Sequence, residues 1–518
     1  MEYGRTPTER LRLVAANAVP WSATLRAVTI RSSPGKEELI ETFENFIGGA
    51  WKPSRGRVTF DDENPAVRGS NLGLFQASAP EDVADAVDAA AETFRTWRRT
   101  ALPERQQHIA EFLRLLKASR EELARVVTLE NGKTLRESRA EVDSALVEGS
   151  YHLNQVSAFY GHTGPGAPGG VTTWMQYEPI GVVGVISPWN FPMNVMCRKT
   201  LPALLTGNTV VFKPASFTPW SGVFMARLFE RAGLPPGVFN CVTGPGSSIG
   251  NVLVGETRVR AISFTGSTEV GRKIQMRAAA NLTRTQLELG GKNALIVMDD
   301  ADVGKAVDAA ITAGFSNAGQ WCTSTSRILL HRTIAGPFLE ALAARCDNMV
   351  VDDGLLDTTD MGPVAGPQQY KDVCAAIRAA QADGARMIAG GDAAGAVQGY
   401  FIRPTVFADV EPDTALFRDE IFGPVLATRE FRTLDEALEL ANASTYGLSS
   451  AIFTRDLGVA RAYIDGIEAG LAHVNVHTGY KEPAMPFGGV KQSGAGLPEN
   501  GKSGLEFFVD HKAVYLGG

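Results

Sequence analysis

The run Gly181-Val182-Val183-Gly184-Val185-Ile186-Ser187, continuing into Pro188-Trp189-Asn190-Phe191-Pro192, decides the architecture. A short, nearly continuous apolar stretch ended by turn residues suits a strand buried on both faces, as in a parallel sheet. The spacing that follows predicts a helix over about Met193–Leu205 and a strand at Thr209–Lys213. A helix over about Trp220–Ala232 and strands at Val238–Val242 and Arg260–Phe264 come next. Strand and helix alternating at this spacing imply βαβ units and a parallel sheet covered on both faces. Such sheets bind ligands beyond the carboxyl ends of their strands. A site is therefore expected around Pro188–Pro192, Lys213–Ser216, Gly244–Gly250 and Gly266–Gly271.

Toward the C-terminus a second α/β pattern begins near Asn293. It has strands at Ala294–Met298 and Ser326–His331, a helix over Val303–Phe315, and further elements to about Asn475. Toward the N-terminus, Val83, Val87, Ala90, Phe94 and Trp97 mark one apolar helix face, and Ile109, Phe112, Leu113 and Leu116 another. Both read as core. Met1–Lys36 differs: Arg5, Arg10, Arg12, Arg26 and Arg31 stand against Glu2 and Glu9, and Pro7, Pro20 and Pro34 interrupt any helix. It reads as a disordered tail, with a transit-like or tethering extension as the alternative. No apolar core of a secretory signal is found there.

The chain has 518 residues, 44% hydrophobic and 21% charged, enough for three to four domain-sized units. Its net charge of −7 argues against a general nucleic-acid surface. The longest apolar runs fall far short of the ~20 residues that span a membrane. Five cysteines, Cys197, Cys241, Cys322, Cys346 and Cys374, are odd in number and widely spaced. That argues against a disulfide framework and against zinc, and for a reduced, cytoplasmic setting. The seven histidines show no ligand spacing. His473 and His477 flank what reads as a strand, so no metal is expected.

Three residues stand out chemically. Cys322 follows a helix among small, polar neighbours in Asn317-Ala318-Gly319-Gln320-Trp321-Cys322-Thr323; a nucleophile there requires exposure and a lowered pKa. Glu288 sits in the apolar run Gln286-Leu287-Glu288-Leu289 just before Gly290-Gly291. Burial would raise its pKa toward that of a general base, and an ion pair with Lys292 is the alternative. Asn190 could donate to a developing oxyanion or simply cap a turn. The dinucleotide fingerprint G-x-G-x-x-G is absent after the first strand. Instead Thr265-Gly266-Ser267-Thr268-Glu269-Val270-Gly271 offers glycines and a helix start to a phosphate.

Taken together and in this order, the stretches 188–192, 264–271, 286–293 and 319–322 resemble the signature motifs of the aldehyde dehydrogenase superfamily. So do Glu420-Ile421-Phe422-Gly423-Pro424 and Pro486-Phe487-Gly488-Gly489. The resemblance runs from about Phe43 to the C-terminus. It implies an α/β fold with a Rossmann-type cofactor domain (37–159 and 178–289), a catalytic domain (290–493) and a small β oligomerisation extension (160–177 and 494–518). It implies that Cys322 attacks an aldehyde, Asn190 with the Cys322 backbone N–H holds the oxyanion, and Glu288 activates the water that hydrolyses the thioester. The presence of Glu288 argues against an acyl-CoA product. Lys213 and Glu420 would hold ribose hydroxyls, and Phe422 would pack near the nicotinamide ribose. Gly266 and Ser267 would meet the pyrophosphate, bordered by Trp189. NAD-preferring members often carry Glu where this chain has Ser216, so NADP is a plausible cofactor beside NAD.

Arg198, eight residues after Asn190, resembles the anchor for a substrate carboxylate; its alternative is a pair with a structural acid. Tyr480 or Trp321 would line the substrate mouth, with simple packing as the alternative for either, and Phe487 is expected among the substrate-binding residues. The stretch Thr478–Phe487 resembles the 2-oxoglutarate semialdehyde (2,5-dioxopentanoate) dehydrogenase group. The leading expectation is NAD(P)-dependent oxidation of a carboxylate-bearing semialdehyde, such as 2-oxoglutarate or succinate semialdehyde, to the acid. The rivals are a dehydrogenase of apolar or aromatic aldehydes, and a catalytically silent protein on the same fold. A homodimer or homotetramer is expected, with neither nucleic acid nor membrane as partner.

Overall fold

The computed structural model describes residues 26–33, 36–166, 168–391 and 398–517. Two large sheets carry the site. The first has eight strands, five of them parallel: Arg284–Glu288, Val259–Thr265, Val182–Ile186, Thr209–Lys213 and Phe239–Cys241, in that spatial order. Asn45–Ile47 and Ala50–Lys52 extend one edge antiparallel, and Gly494–Ala495 caps the other. In sequence order the five strands lie 5-4-1-2-3, the Rossmann arrangement. The order reverses between Val182–Ile186 and Val259–Thr265, and the crevice above that pair is where such sheets take their ligands. The strands are buried along nearly their whole length, which is why Val182–Ile186 reads as an unbroken apolar run. The helices Asn194–Leu205, Pro219–Arg231 and Thr268–Ala279 form the crossovers.

The second sheet has seven strands. Six are parallel, in the order Thr405–Ala408, Val425–Phe431, Thr325–His331, Asn293–Val297, Ser449–Phe453 and Leu471–Val474. Arg386–Ala389 pairs antiparallel at the edge. The chain crosses from the first sheet to the second through Leu289–Lys292, so the carboxyl end of one sheet meets the amino end of the other.

Sequence and structure differ at both ends of the chain. Residues 1–25 of the expected disordered tail lie outside the described residues. Arg26–Ser33, however, is a strand paired antiparallel with Lys36–Phe43. The β-branched run Val28-Thr29-Ile30 carries strand propensity that the arginines and prolines around it obscured. The proposed ribbon is also smaller than expected. A three-stranded sheet joins His162–Thr163, Thr172–Pro179 and Val509–Leu516. Residues 494–508 instead belong to the first sheet's unit: Gly494–Ala495 pairs with Leu287–Glu288, and Leu505, Phe507 and Phe508 are buried in its core.

Candidate active site

Glu288 is the last residue of its strand and 2% exposed. Its peptide oxygen accepts from the Gly266 N–H at 3.1 Å, and its Oε1 has no hydrogen-bond partner. Burial pushes the carboxyl up to about 8; Glu499 adds to this, while Lys199, Arg198 and the Cys322 thiol oppose it. Glu288 is thus not held by Lys292, whose own amine burial and Arg327 lower to about 7.

Cys322 faces Glu288 from the loop that enters the second sheet. The approach is tight and left-handed: Asn317, Ala318 and Gly319 have φ of 51°, 53° and 70°. A Cβ on Gly319 would lie 2.2 Å from the Gly423 oxygen. A Cβ on Gly291 would lie 2.7 Å from the Cys322 peptide oxygen, which accepts from Asn293 Nδ2 at 2.8 Å. The Gly290-Gly291 pair therefore lets the segment leaving Glu288 pass against the cysteine loop. The thiol itself departs from the expectation of a lowered pKa. Burial, the neighbouring Glu288 and Glu420 push it well above the usual thiol range, against an opposing pull from Arg198. A thiol of this kind needs a base to become a nucleophile, and Glu288 is beside it.

Asn190 is buried, and its Nδ2 donates to the Gln320 oxygen at 3.0 Å. That bond fastens the 188–192 turn to the cysteine loop. The Asn190 peptide oxygen accepts from Lys133 Nζ at 2.6 Å and from Asn317 Nδ2 at 3.0 Å. The amide has two N–H groups, and this bond uses one of them. Cysteine, carboxyl and amide thus meet at the topological switch of the first sheet.

The groups expected to hold a dinucleotide line the same crevice. Lys213 ends its strand, buried, with Nζ on the Pro214 oxygen at 2.7 Å and its pKa lowered by burial to about 8. Ser216 is half-buried and donates to the Gly244 oxygen at 3.2 Å. Gly266 follows the Val259–Thr265 strand, and Ser267 caps the helix Thr268–Ala279, accepting from the Val270 N–H. Glu420 accepts from the Gly291 N–H at 2.9 Å, and burial raises its carboxyl to about 7. Phe422 adopts φ 55°, held by Gln369 on its peptide oxygen at 2.7 Å, and meets Trp189 edge-on at 5.3 Å. The chemistry of this donor set fits a dinucleotide. Ser187 Oγ is buried without a partner at the end of the first strand, and the Lys213 ammonium donates to a single acceptor.

The structure gives Arg198 a different setting from a free anchor. Its Nε and Nη2 donate to the Glu148 carboxylate at 2.9 and 3.1 Å, and Nη1 reaches Glu499 at 3.3 Å. The guanidinium lies over the Phe487 ring at 4.5 Å. Phe487 is itself buried. Trp321 packs on Phe191 and His477, close against Gly479. Tyr480 is exposed, its hydroxyl on Glu482 at 2.6 Å.

Six charged residues of this site were not anticipated: Lys133, Glu141, Glu148, Lys199, Lys481 and Glu499. Lys133 and Glu141 form a fully buried pair at 2.7 Å, and Glu141 also accepts from the Met193 and Asn194 N–H groups. Lys199 is paired with Glu499 and donates to Ser263 Oγ. Lys481 reaches Glu148 at 2.5 Å. Burial works against ionisation of Glu148, yet Arg198 and Lys481 hold it well below the usual carboxylate range. One signal was available in the sequence: Glu141 and Glu148, seven apart, share a helix face with Val142 and Ala145.

The fold thus brings together a cysteine beside a carboxyl of raised pKa, an amide fastened to the cysteine loop and a crevice whose donors fit a dinucleotide. The aldehyde dehydrogenase family profile matches residues 51–514, and the chain belongs to that family. It is 38% identical to the alpha-ketoglutaric semialdehyde dehydrogenase of Bacillus subtilis (strain 168), covering 92% of this chain and 98% of the relative. It is 39% identical to the 2,5-dioxopentanoate dehydrogenase of Saccharolobus solfataricus, covering 88% and 96%. The crystal structure of betaine aldehyde dehydrogenase from Staphylococcus aureus in complex with NAD+ superposes with a TM-score of 0.89 at 34% identity, covering 92% and 95%. The chain is thus an NAD(P)-dependent aldehyde dehydrogenase.

Proposed function

We propose that the protein oxidises a carboxylate-bearing semialdehyde, of the 2-oxoglutarate or succinate semialdehyde type, to the dicarboxylic acid. The observation that carries the reaction is the meeting of Cys322, Glu288 and Asn190 at the switch point of the first sheet. Glu288, with a pKa of about 8, takes the Cys322 proton. The thiolate adds to the aldehyde carbon, and the resulting oxyanion is held by Asn190 Nδ2 and the Cys322 backbone N–H. Bound NAD(P) supplies the two-electron acceptor, so that the thiohemiacetal becomes a thioester. Glu288, having passed the thiol proton to solvent, then removes a proton from water, which attacks the thioester and releases the acid and the Cys322 thiolate, and the proton on Glu288 returns the thiolate to the thiol. Lys213, Glu420, Phe422, Trp189, Gly266 and Ser267 orient the dinucleotide.

Ser216 leaves the ribose end without a carboxylate to repel a 2′-phosphate, which supports use of NADP alongside NAD. The semialdehyde reading is supported by the cationic Lys481 and Arg198 beside the thiol, and by the names of the two relatives. The edge strand Val509–Leu516, with Tyr515 and Leu516 exposed, supports a homodimer or homotetramer. Five free cysteines favour a cytoplasmic setting, and no described helix is long and apolar enough to cross a membrane.

The test is a matrix of initial rates, with charged and uncharged aldehydes against NAD and NADP. The proposal expects the highest kcat/KM for a semialdehyde. A folded enzyme that prefers uncharged or aromatic aldehydes refutes the substrate class, and one that reduces neither cofactor with any aldehyde refutes the activity.

A further inference from the structure

The ion pairs of the site join into one chain: Lys481 to Glu148, Glu148 to Arg198, Arg198 to Glu499, and Glu499 to Lys199. Three cations thus stand against two carboxylates. Glu288 does not restore balance at neutral pH, because burial keeps it largely protonated up to about 8. A buried surplus of one charge is unfavourable unless solvent or a ligand ion offsets it.

Of the five side chains only Lys481 opens outward: it is 24% exposed, against 0–4% for the others. Its Nζ donates to Glu148 Oε1 at 2.5 Å and to Asn194 Oδ1 at 2.9 Å. An ammonium has three donors, so one is left. Asn194 begins the helix that follows the Asn190 turn, and Lys481 follows Thr478, whose hydroxyl donates to the Thr323 oxygen at 2.7 Å. These bonds place Lys481 beside the Cys322 loop. Burial and the neighbouring Arg198 lower the Lys481 pKa, while Glu148 and charge on Cys322 favour its ammonium form.

We propose that Lys481 is the residue that binds the carboxylate tail of the aldehyde, and that Arg198 acts behind it as a positioning residue through their shared Glu148. This rests on the semialdehyde reading above and corrects the expectation that Arg198 itself is the anchor. Glu148 does not repel the incoming carboxylate, because it is already shared by two cations. The alternative is that Lys481 only screens Glu148.

The test compares succinate semialdehyde with butanal, which has the same carbon count and no carboxylate, in the full-length wild type, Lys481→Met and Lys481→Arg. The readout is the ratio of kcat/KM for the two aldehydes, with kcat and KM separated. In Lys481→Met the ratio is expected to fall about a hundredfold, mainly through KM for the semialdehyde, as for loss of a charge-assisted pair. Lys481→Arg is expected to recover most of it. A ratio within threefold of wild type overturns the inference, whether both rates fall or neither does. If the Met variant does not fold, Lys481→Gln, which keeps a donor for Glu148, gives the same comparison. A wild type that does not favour the semialdehyde refutes the substrate reading before any substitution, and the inference falls with it. A wild type that favours it while Lys481→Met retains the preference refutes the inference alone.

Discussion

Replacing Glu288 with Gln removes a carboxyl that the fold buries without a hydrogen bond on Oε1. The sign of its linkage to stability is fixed by the direction of the shift. A carboxyl raised from 4.5 to about 8 binds a proton more tightly in the folded state than in the unfolded one. Its ionisation therefore costs stability progressively as pH rises from the unfolded value toward about 8. Each unit of difference corresponds to about 1.4 kcal/mol, so the wild type should lose roughly 2–3 kcal/mol relative to Glu288→Gln between pH 6 and pH 9. Chemical denaturation of both proteins at those two pH values measures the gap. The same variant should lose about 10²–10⁴-fold in turnover, the usual contribution of a positioned base. Because Glu288 serves the hydrolysis of the thioester as well as activation of the thiol, reduced cofactor should appear at most as one equivalent per site, followed by slow turnover. A stability gap that stays flat from pH 6 to pH 9 would show that the carboxyl is not protonated in the folded protein and would refute the reasoning.

Four further outcomes follow from the same geometry. Wild-type turnover should rise with pH through about 8, as Glu288 loses its proton, and this limb should vanish in Glu288→Gln; a pH–rate profile checks it. Asn190→Ala should lower kcat by about 10²–10³-fold, the loss of one oxyanion donor, with little change in cofactor binding by titration. Ser216→Glu should shift the NADP-to-NAD ratio of kcat/KM toward NAD by about tenfold or more, since a carboxylate repels the 2′-phosphate. Gly319→Ala should destabilise the cysteine loop and abolish activity, because its φ is 70° and its Cβ would press on Gly423 at 2.2 Å; thermal unfolding and rate measurements read both effects.

Much of the fold is legible in the sequence because parallel strands buried on both faces are dominated by apolar, often β-branched residues. Val182–Ile186, Thr209–Lys213 and Asn293–Val297 announce themselves in this way. The site's chain positions are legible for a related reason: Asn190, Gly266 and Glu288 all sit at or just beyond strand ends, where the chemistry of such a sheet collects. The charge network is another matter. Glu148 lies 50 residues from Arg198, and Glu499 lies 301 residues from it. Nothing local distinguishes these acids from solvated ones, and Glu499 falls in the segment that the resemblance assigned to the oligomerisation extension. The environment of Cys322 is equally hidden. Its neighbours are small and polar in sequence, yet the fold buries the thiol, and the Glu288 carboxyl that adds to the rise in its pKa arrives from another strand. The left-handed turn at Asn317–Gly319 is only half visible, since Ala318 adopts φ 53° without the glycine that usually signals it.

The central claim is that Cys322 carries the substrate as a thioester which Glu288 hydrolyses. The most direct measurement is peptide mass spectrometry of Glu288→Gln, quenched in acid after a single turnover with succinate semialdehyde and cofactor. The account predicts a succinyl adduct on the peptide containing Cys322, in amount equal to the cofactor reduced, and none in the Cys322→Ser, Glu288→Gln double variant. Cofactor reduction without an adduct, or an adduct on another cysteine, would contradict it.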